Sequence, residues 1–536
     1  MKFKQLICCV LIFCLALTVT GCGKTAVTLS NDMDETEISN EPTKHRDYLT
    51  LLYSSADSFN PYTLKTDVNR QLVKLIYEPL IKVNDRFEPV NALANSVEVK
   101  GDVCTVTLKS AKFSDGTPVT ASDVIYSYNL AKNSATVYAD KLYSVSSVSQ
   151  NEGKVEFKLA KNDPYFANVL DFPIIKEGSD TKTDADSVSL PPIGCGRFKL
   201  NETKDGLVLN DGYYSKIKYI KEIRLINAPD RESVAHYTEI GAADIYFTEI
   251  SDGTITRMSG KRQEINLNNL VYIGINQNFA PLNQPSLRHA ISSAVDRVKF
   301  CEKAYYNNAR AANGFFHPLW SEAGSVQNLE ITANNQITIE NLEEIGYNNL
   351  NSEGLRVNAN GIPLKFTLLV NSENRIRVMA ANVIAEQLKS VGIGITVVEK
   401  TYSQYVTALS SGSFQLYLGE IKITDNMDLS PLLVRGGTAA YGLPNEITAE
   451  KEDDSETEEK SETEVKPQTT SSQTVLEEFY KGNATVRDVA SVLQTDMSIV
   501  PLCYRTGLLF YNSSIKNVKN SSLGDIYFSI GSYLIN

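Results

Sequence analysis

A period of two in the hydrophobic positions marks several short segments of the chain, and this alternation predicts β-strands with one buried face. The segments YLTLLY, CTVTLKS and KVEFKLAK follow this pattern. The inward positions of the last two segments are Cys104, Val106, Leu108, Val155, Phe157 and Leu159. We expect half-exposed strands here, with the polar residues between these positions facing solvent.

A period near 3.6 marks other segments and predicts amphipathic helices between the strands. Two such stripes consist of Leu287, Ile291, Val295 and Val298, and of Ile376, Met379, Val383 and Ile384. Gly392 is expected to end the second helix before the strand GITVVEK. Strands that alternate with such helices indicate an α/β fold, in which ligands bind at strand ends and commonly between lobes.

The segment AKFSDGTPVTASDVIYSYN contains two acidic residues, Asp115 and Asp123, but its pattern gives both of them structural roles. Asp115 and Gly116 belong to a turn, in which glycine supplies the left-handed conformation. Thr120 and Asp123 have the spacing of a capping box, which satisfies the free amides at a helix start. We therefore expect a turn followed by a helix, and no catalysis.

The amino terminus has the organisation of a secretory signal peptide. Lys2 and Lys4 precede an apolar run over 6–19 that is too short to span a bilayer as a stable helix. Small residues follow this run, as a signal peptidase requires. We predict a signal peptide over 1–21, and we expect the mature protein to function outside the cytoplasm.

Cys22 follows this segment in the sequence VTGC, which resembles the lipobox of bacterial lipoproteins. The resemblance implies that Cys22 becomes the first mature residue and carries a lipid, which anchors the protein to the extracytoplasmic face of the cell membrane. The alternative is a chance cysteine in an ordinary signal peptide, since Cys8, Cys9 and Cys14 also occur there. Residues 22–46 are polar and lack periodicity, so we expect a flexible tether.

Composition and charge narrow the choice of partner. The chain of 536 residues has a formal net charge of −12 and lacks a basic stripe, so we expect no nucleic acid partner. At roughly 150 residues per domain, this length predicts about three lobes and is ample for a deep cleft. The cysteines beyond Cys22 lack metal-ligand spacing, and we expect buried thiols at Cys104, Cys195, Cys301 and Cys503.

Several longer segments follow one another in an order that a known family shares. The series begins with YEPLIKVNDRFEPVNALANSVEV and VTLKSAKFSDGTPVTASDVIYSYN. It continues with PPIGCGRFKL, EIGAADIYF, PSLRHAISSAVDRVKF, ANVIAEQLKSVGIGITVVEKTYSQY and TDMSIVPLCYRTGLLFY. This series resembles the bacterial solute-binding proteins of family 5, which are the peptide- and nickel-type substrate-binding proteins of ABC transporters. The resemblance covers nearly the whole chain after the tether.

The resemblance implies an α/β, two-lobe periplasmic-binding-protein type II fold with an additional subdomain in the first lobe. Two crossing strands would join the lobes, which enclose a solute as they close. The implied boundaries are 47–268 for lobe I, about 85–190 for its subdomain, 269–497 for lobe II and 498–536 for the return to lobe I. We further expect a monomer without cofactor or metal that delivers an oligopeptide or related small solute to the ABC transporter permease subunits.

Residues 446–473, EITAEKEDDSETEEKSETEVKPQTTSSQ, depart from the pattern of the resembling family. The segment is acidic and low in complexity, and it has almost no large apolar residues. Because like charges repel and little apolar surface can be buried, we expect a disordered loop inside lobe II. A role in cation binding or partner docking is the alternative.

The segment expected to bind the ligand also departs from the family. In the family's peptide binders, a strand ending in Gly-Trp leads to an aspartate that holds the peptide's α-amino group, because a desolvated ammonium needs a carboxylate partner. Here the segment reads FQLYLGEIKITDNMDLSPLL, with Glu420 at the tryptophan position. The aspartate is either Asp425 or Asp428, and the alternative for Asp425 is a solvated turn residue.

Further candidates for ligand contact follow from their places in the predicted topology. They are Ser55 in the loop after the first strand, Gly437 and Tyr441 after the binding strand, and Tyr504 and Arg505 after a predicted hinge crossing. Glycine lets a ligand backbone approach, tyrosine offers a rigid apolar face with a polar tip, and arginine can pair with a carboxylate. For each of them, a scaffold role is the alternative.

Two other classes of function compete with solute delivery. An extracytoplasmic enzyme is disfavoured because the histidines stand alone and the sequence has no HExxH, GxSxG or phosphate-binding glycine motif. The abundant carboxylates leave a two-acid hydrolase open. The second alternative is a lipoprotein receptor or chaperone that uses the same two lobes to sense a peptide without transporting it.

Overall fold

A computed structural model of the chain describes residues 45–250, 258–326, 329–444 and 470–536. The predicted signal peptide, the lipidation of Cys22 and nearly all of the predicted tether lie outside these ranges, as does the predicted insertion up to residue 469. The residues from His45 to Asn536 form one unit by their mutual contacts. The lobe boundaries given above remain predictions.

Strands and helices alternate through this unit. The strands are β1 Tyr48–Tyr53, β2 Glu78–Pro79, β3 Ile81–Val83, β4 Pro89–Asn91, β5 Ala94–Lys100, β6 Val103–Leu108, β7 Val145–Asn151, β8 Lys154–Leu159, β9 Pro173–Ile174, β10 Phe198–Leu200, β11 Gly206–Leu209, β12 Glu222–Asn227, β13 Ile245–Glu249, β14 Lys261–Ile275, β15 Ala309–Ala311, β16 Asn349–Leu350, β17 Arg356–Val357, β18 Lys365–Asn371, β19 Gly394–Lys400, β20 Leu416–Lys422, β21 Ile499–Tyr511, β22 Ile515–Lys516 and β23 Leu534–Ile535. The helices are α1 Asp67–Leu72, α2 Ala121–Asn133, α3 Val137–Lys141, α4 Arg231–Glu239, α5 Pro285–Ala294, α6 Arg297–Tyr305, α7 Asn335–Glu344, α8 Arg375–Ser390, α9 Tyr402–Ser410, α10 Ser430–Leu433, α11 Ser471–Tyr480 and α12 Val486–Asp496. Short 3-10 turns cover Val73–Leu75, Phe166–Val169, Ser321–Val326 and Ile530–Ser532.

Two four-stranded sheets lie in the part of the chain predicted as lobe I. The first has the order β1-β12-β11-β10, with β1 parallel to β12. The second has the order β5-β6-β8-β7, is antiparallel and falls within the predicted subdomain. The alternation in β6 and β8 is confirmed, since their predicted inward residues are buried except for the half-buried Leu108.

A larger sheet has the order β13-β21-β14-β20-β18-β19, with β15 paired to β21. Its two long strands, β14 and β21, run antiparallel to each other, and their register shifts between Asn266 and Leu270. Before the shift β21 also pairs with β13, and after it β14 pairs with β20. These two strands therefore connect the part of the sheet that contains β13 with the part that contains β20, and their role as crossings between two lobes stays a prediction.

The predicted stripe from Leu287 to Val298 is wrong as a single helix. Helix α5 ends at Ala294, and Val295 is extended, with a ψ angle of 111°. Asp296 then caps a new helix, α6, by accepting a hydrogen bond from the Lys299 amide at 3.0 Å. Val298 consequently points outward and is 69% exposed.

The second predicted stripe is confirmed in α8, and Gly392 follows its end. Ile376, Val383 and Ile384 are buried, and Met379 is half-buried. Gly392 adopts a φ angle of +89°, which a residue with a side chain tolerates poorly.

The predicted end of the acidic insertion at residue 473 is wrong. Helix α11 begins at Ser471, and the side chain of Thr470 caps it by accepting a hydrogen bond from the Gln473 amide. The Thr470 hydroxyl satisfies one of the free amides of the helix start, so a helix begins inside the segment whose composition predicted a loop.

The predicted buried thiols are confirmed. Cys104, Cys195, Cys301 and Cys503 are all free and buried. Burial raises the pKa of the Cys104 thiol to about 12, because a thiolate would lose its hydration there. These cysteines therefore act as small apolar residues of the core.

The predicted capping box at the start of α2 is confirmed and provides a test of stability. The Thr120 amide donates to Asp123 Oδ2 at 2.9 Å, and the Thr120 hydroxyl accepts from the Asp123 amide. Thr120→Ala should lower the free energy of unfolding by about 1 kcal/mol in urea titrations, because it removes the cap. Thr120→Ser, which keeps the hydroxyl, should remain within about 0.5 kcal/mol of the wild type, and equal losses in both variants would contradict the role of the cap.

Candidate ligand cavity

A cavity of about 720 Å³ lies between the predicted first lobe and the segment that follows β20. Residues of α1, of α3 and of the loop before α4 form part of its wall. Lys422 and Asp425 enter it from the predicted second lobe. Its volume falls in the range of roughly 300–1,000 Å³ that is typical of small-molecule sites.

Lys141, the last residue of α3, joins the two sides of this cavity. Its ammonium lies 2.6 Å from Asp171 Oδ2 and 2.9 Å from Asp425 Oδ2, and its side chain is only 9% exposed. Burial alone would lower the pKa of Lys141, but the two carboxylates outweigh burial and raise the pKa. Lys141 is therefore held charged between the predicted subdomain and the predicted second lobe.

The segment after Asp425 makes further contacts with the predicted subdomain. The Asn168 amide donates to the backbone oxygen of Asp425 at 2.9 Å. The Asn426 amide donates to Asp163 Oδ2 at 2.6 Å. Two sides of the cavity are thus joined by hydrogen bonds to backbone and side chains as well as by the Lys141 ion pairs.

Asp428 is held in a network of its own. Its carboxylate accepts hydrogen bonds from the hydroxyls of Tyr143 and Tyr480 and from the Ser430 amide, and the Lys161 ammonium lies 3.4 Å from Oδ2. Burial would raise the pKa of Asp428, but Lys161 and these hydrogen bonds lower it. Of the two aspartates considered for the ligand amine, Asp425 lines the cavity and Asp428 serves this network.

Glu420 and Arg505, two of the predicted ligand contacts, form an ion pair with each other and do not line the cavity. Arg505 Nη1 donates to Glu420 Oε1 at 2.7 Å, and Arg377 Nη2 donates to Glu420 Oε2 at 2.8 Å. Burial would raise the pKa of Glu420, but the two guanidinium groups lower it. Arg505 also donates to the backbone oxygen of Ile250 at 2.9 Å. This network lies against the register shift of β14 and β21, where Asn269 also bonds to Glu420.

The structure places the other predicted contact residues away from the cavity wall. Tyr504 is buried and donates its hydroxyl to the Phe315 backbone oxygen at 2.8 Å. Ser55 is exposed, and its amide donates to Asn227 Oδ1 at 2.9 Å. The ring centre of Tyr441 lies 6.2 Å from that of Tyr417. At Gly437, an added Cβ would lie 2.5 Å from the Pro431 oxygen, so close packing requires glycine there.

Lysines are the cavity-lining residues that sequence reasoning missed. Lys74, Lys82, Lys141 and Lys422 all line the cavity. Burial lowers the pKa of Lys74 to about 8, although Asp525 raises it in part. The one sequence signal was Lys422, a charged residue that ends the otherwise mostly apolar strand LYLGEIK.

Within the described ranges, no group of three or more His, Cys, Asp or Glu residues is arranged to hold a metal ion. Among these same residues, no helix is both long and apolar enough to cross a membrane.

Residues 88–439 match the family model described as bacterial extracellular solute-binding proteins, family 5 Middle. The chain therefore belongs to this family of solute-binding proteins. This membership confirms the predicted family, and with it the two-lobe type II fold with α/β architecture.

Individual relatives agree with this family. The oligopeptide-binding protein AppA of Bacillus subtilis is 24% identical over 402 residues, which cover 71% of this chain and 73% of the relative. The nickel-binding periplasmic protein of Escherichia coli is 23% identical, covering 63% of this chain and 68% of the relative. The crystal structure of a nickel ABC transporter protein from Bacillus halodurans superimposes with a TM-score of 0.69 at 17% identity, covers 91% of this chain and 100% of its own, and supports the fold alone.

Asp163 gives the contact between the two sides a dependence on pH. Burial raises its pKa to about 6, although the hydrogen bond from Asn426 opposes this shift. Because the folded state binds this proton more tightly than the unfolded state, the contribution of Asp163 to stability is fully present below about pH 4 and is lost as the pH rises through 6.

Asp163→Asn should remove this dependence, because an amide resembles the protonated acid. We expect the variant to match the wild type near pH 4 and to exceed its free energy of unfolding by about 2 to 3 kcal/mol at pH 7. Urea titrations across this range measure the difference, with the exposed Asp186→Asn as control. A difference between variant and wild type that stays constant with pH would contradict the assignment.

Proposed function

We propose that this chain captures an oligopeptide-like solute in the cavity beside Asp425 and delivers it to the permease subunits of an ABC transporter. The observation that carries the proposal is the cavity itself, which is closed on one side by the segment with Lys422 and Asp425. That segment contacts Lys141, Asn168 and Asp163 of the predicted subdomain. These contacts are an ion pair and two hydrogen bonds, which can break and re-form.

The proposed mechanism is closure of two lobes around the solute. A solute that contacts both sides of the cavity favours the closed state by its differential affinity, and the permease recognises that closed shape. The register shift between β14 and β21 is the proposed place of bending, because the ladder of hydrogen bonds is interrupted there. No bond of the solute is made or broken.

The relatives support two kinds of solute, peptides and nickel. We favour an oligopeptide because the AppA relative, an oligopeptide-binding protein, covers more of the chain than the nickel-binding relative. The alternative to transport is a receptor or chaperone that senses a peptide with the same two lobes.

We also propose that Cys22 carries a lipid and that the protein acts as a monomer at the outer face of the cell membrane. The sequence VTGC after an apolar run supports lipidation of Cys22. The family description names extracellular solute-binding proteins, which supports this location. Mass spectrometry of the mature amino terminus should detect a diacylated cysteine, and an unmodified residue at position 22 would contradict this part of the proposal.

Native mass spectrometry tests the solute-binding function directly. We expect the purified protein to retain a small solute, and to release it unchanged when denatured, since the proposed mechanism includes no chemical step. Thermal unfolding then tests the released solute, which should raise Tm with increasing concentration, by mass action. Turnover of the solute during incubation would contradict the proposal, and deletion of the gene without loss of solute uptake would favour the sensing receptor.

A further inference from the structure

The carboxylate of Asp425 belongs to the cavity wall, but its charge is already paired within the protein. Asp425 lines the cavity, and the Lys141 ammonium donates to its Oδ2 atom at 2.9 Å. This distance is that of a charge-assisted hydrogen bond, which leaves no room for a water molecule between the two groups. A solute ammonium at this carboxylate would have to share it with Lys141.

Burial and a second carboxylate hold Lys141 in this place. Lys141 is the last residue of α3, and its side chain is only 9% exposed. Asp171, on the same side of the cavity, holds the same ammonium at 2.6 Å. An ammonium that left both carboxylates would be a buried charge without compensation, which is costly. Lys141 is therefore a built-in counter-ion of Asp425.

The other acidic side chains of the cavity wall also have partners of their own. These pairs are Asp171 with Lys141, Asp67 with Arg70, Glu249 with Arg505, and Asp230 with the amide of Ser233. Among the residues that the structure describes, the wall thus offers a solute ammonium no carboxylate that lacks a partner.

The charge of the cavity wall opposes a further cation as well. Seven basic and five acidic side chains of the described residues line the cavity. An additional ammonium would increase this excess of positive charge, and like charges that lie close together disfavour each other's charged form. An uncharged group of a solute meets no such repulsion.

We propose that Lys141 excludes a charged amine from Asp425, so that the cavity takes peptides with an acylated or otherwise uncharged amino end. The inference rests on the proposed function and names the chemical class of its solute. It makes Lys141 a specificity-determining residue, and it reverses the role that the sequence suggested for Asp425, which was expected to hold a ligand amine. The protein itself supplies the ammonium that pairs with this carboxylate.

Binding of defined peptides to the full chain tests this inference. The probes are trialanine and pentaalanine, each with a free and with an acetylated amino end, at about pH 7, where the free amine is largely charged. Isothermal titration calorimetry measures their affinities for the wild type, Lys141→Met, Asp425→Asn and the double variant. Lys161→Met is the matched control, because Lys161 pairs with Asp428 of the same segment but does not line the cavity.

We expect the wild type to bind the acetylated peptides at least as tightly as the free ones. Lys141→Met should shift the ratio of the two affinities by about tenfold or more toward the free peptides, since their ammonium can then pair with Asp425. The double variant should lose this shift, Asp425→Asn alone should change the ratio far less, and Lys161→Met should keep the wild-type ratio. The ratio decides, because a change in lobe closure alters both affinities by the same factor.

Other outcomes separate failure of the inference from failure of the proposed function. If the wild type prefers the free peptides and Asp425→Asn abolishes this preference, Asp425 binds the solute amine, the inference is wrong and solute binding stands. A ratio that Lys141→Met leaves unchanged would contradict the inference in the same way. If Lys141→Met does not fold, the comparison of the wild type with Asp425→Asn decides. If neither form of either peptide binds the wild type, the proposed oligopeptide function is contradicted and the inference fails with it.

Discussion

A buried lysine paired with two carboxylates is the interaction on which the contact between the two sides of the cavity depends. Lys141 takes one partner, Asp171, from its own side of the cavity and the other, Asp425, from the opposite side. If the two sides separate, Lys141 keeps Asp171 but loses its pairing with Asp425. A buried ion pair contributes more to a contact than a surface ion pair does. We call the Lys141–Asp425 ion pair the clasp, because it joins the two sides without a covalent bond.

The remaining features of the site follow from that clasp. Asp425 positions the chain after β20, and Asn426 and Asp428 extend the same segment onto the predicted subdomain through Asp163 and Tyr143. Glu420, five residues before Asp425 and in β20, is fixed by Arg377 and Arg505.

Local patterns in the sequence predicted local structure well, and tertiary charge pairing poorly. The alternation in β6 and β8 and the capping box of Thr120 depend on neighbours within a few residues. The stripe through Val298 failed because the Asp296 cap outweighed the apolar period. Lys141 and Asp425 lie 284 residues apart, so neither periodicity nor composition indicated their pairing. Family resemblance predicted the fold. In the segment from Glu420 to Asp425, which departs from the family pattern, it could not predict that the Asp425 carboxylate is paired with Lys141.

The distance between the two lobes, measured by electron paramagnetic resonance, tests the clasp most directly. Spin labels at Ser96→Cys in β5 and Ser403→Cys in α9 lie on exposed positions of the two predicted lobes, and the described native cysteines are buried. We expect a narrow distribution of short distances in the labelled wild type and a longer, broader one when Lys141→Met removes the clasp. The same distribution in both proteins would contradict the account.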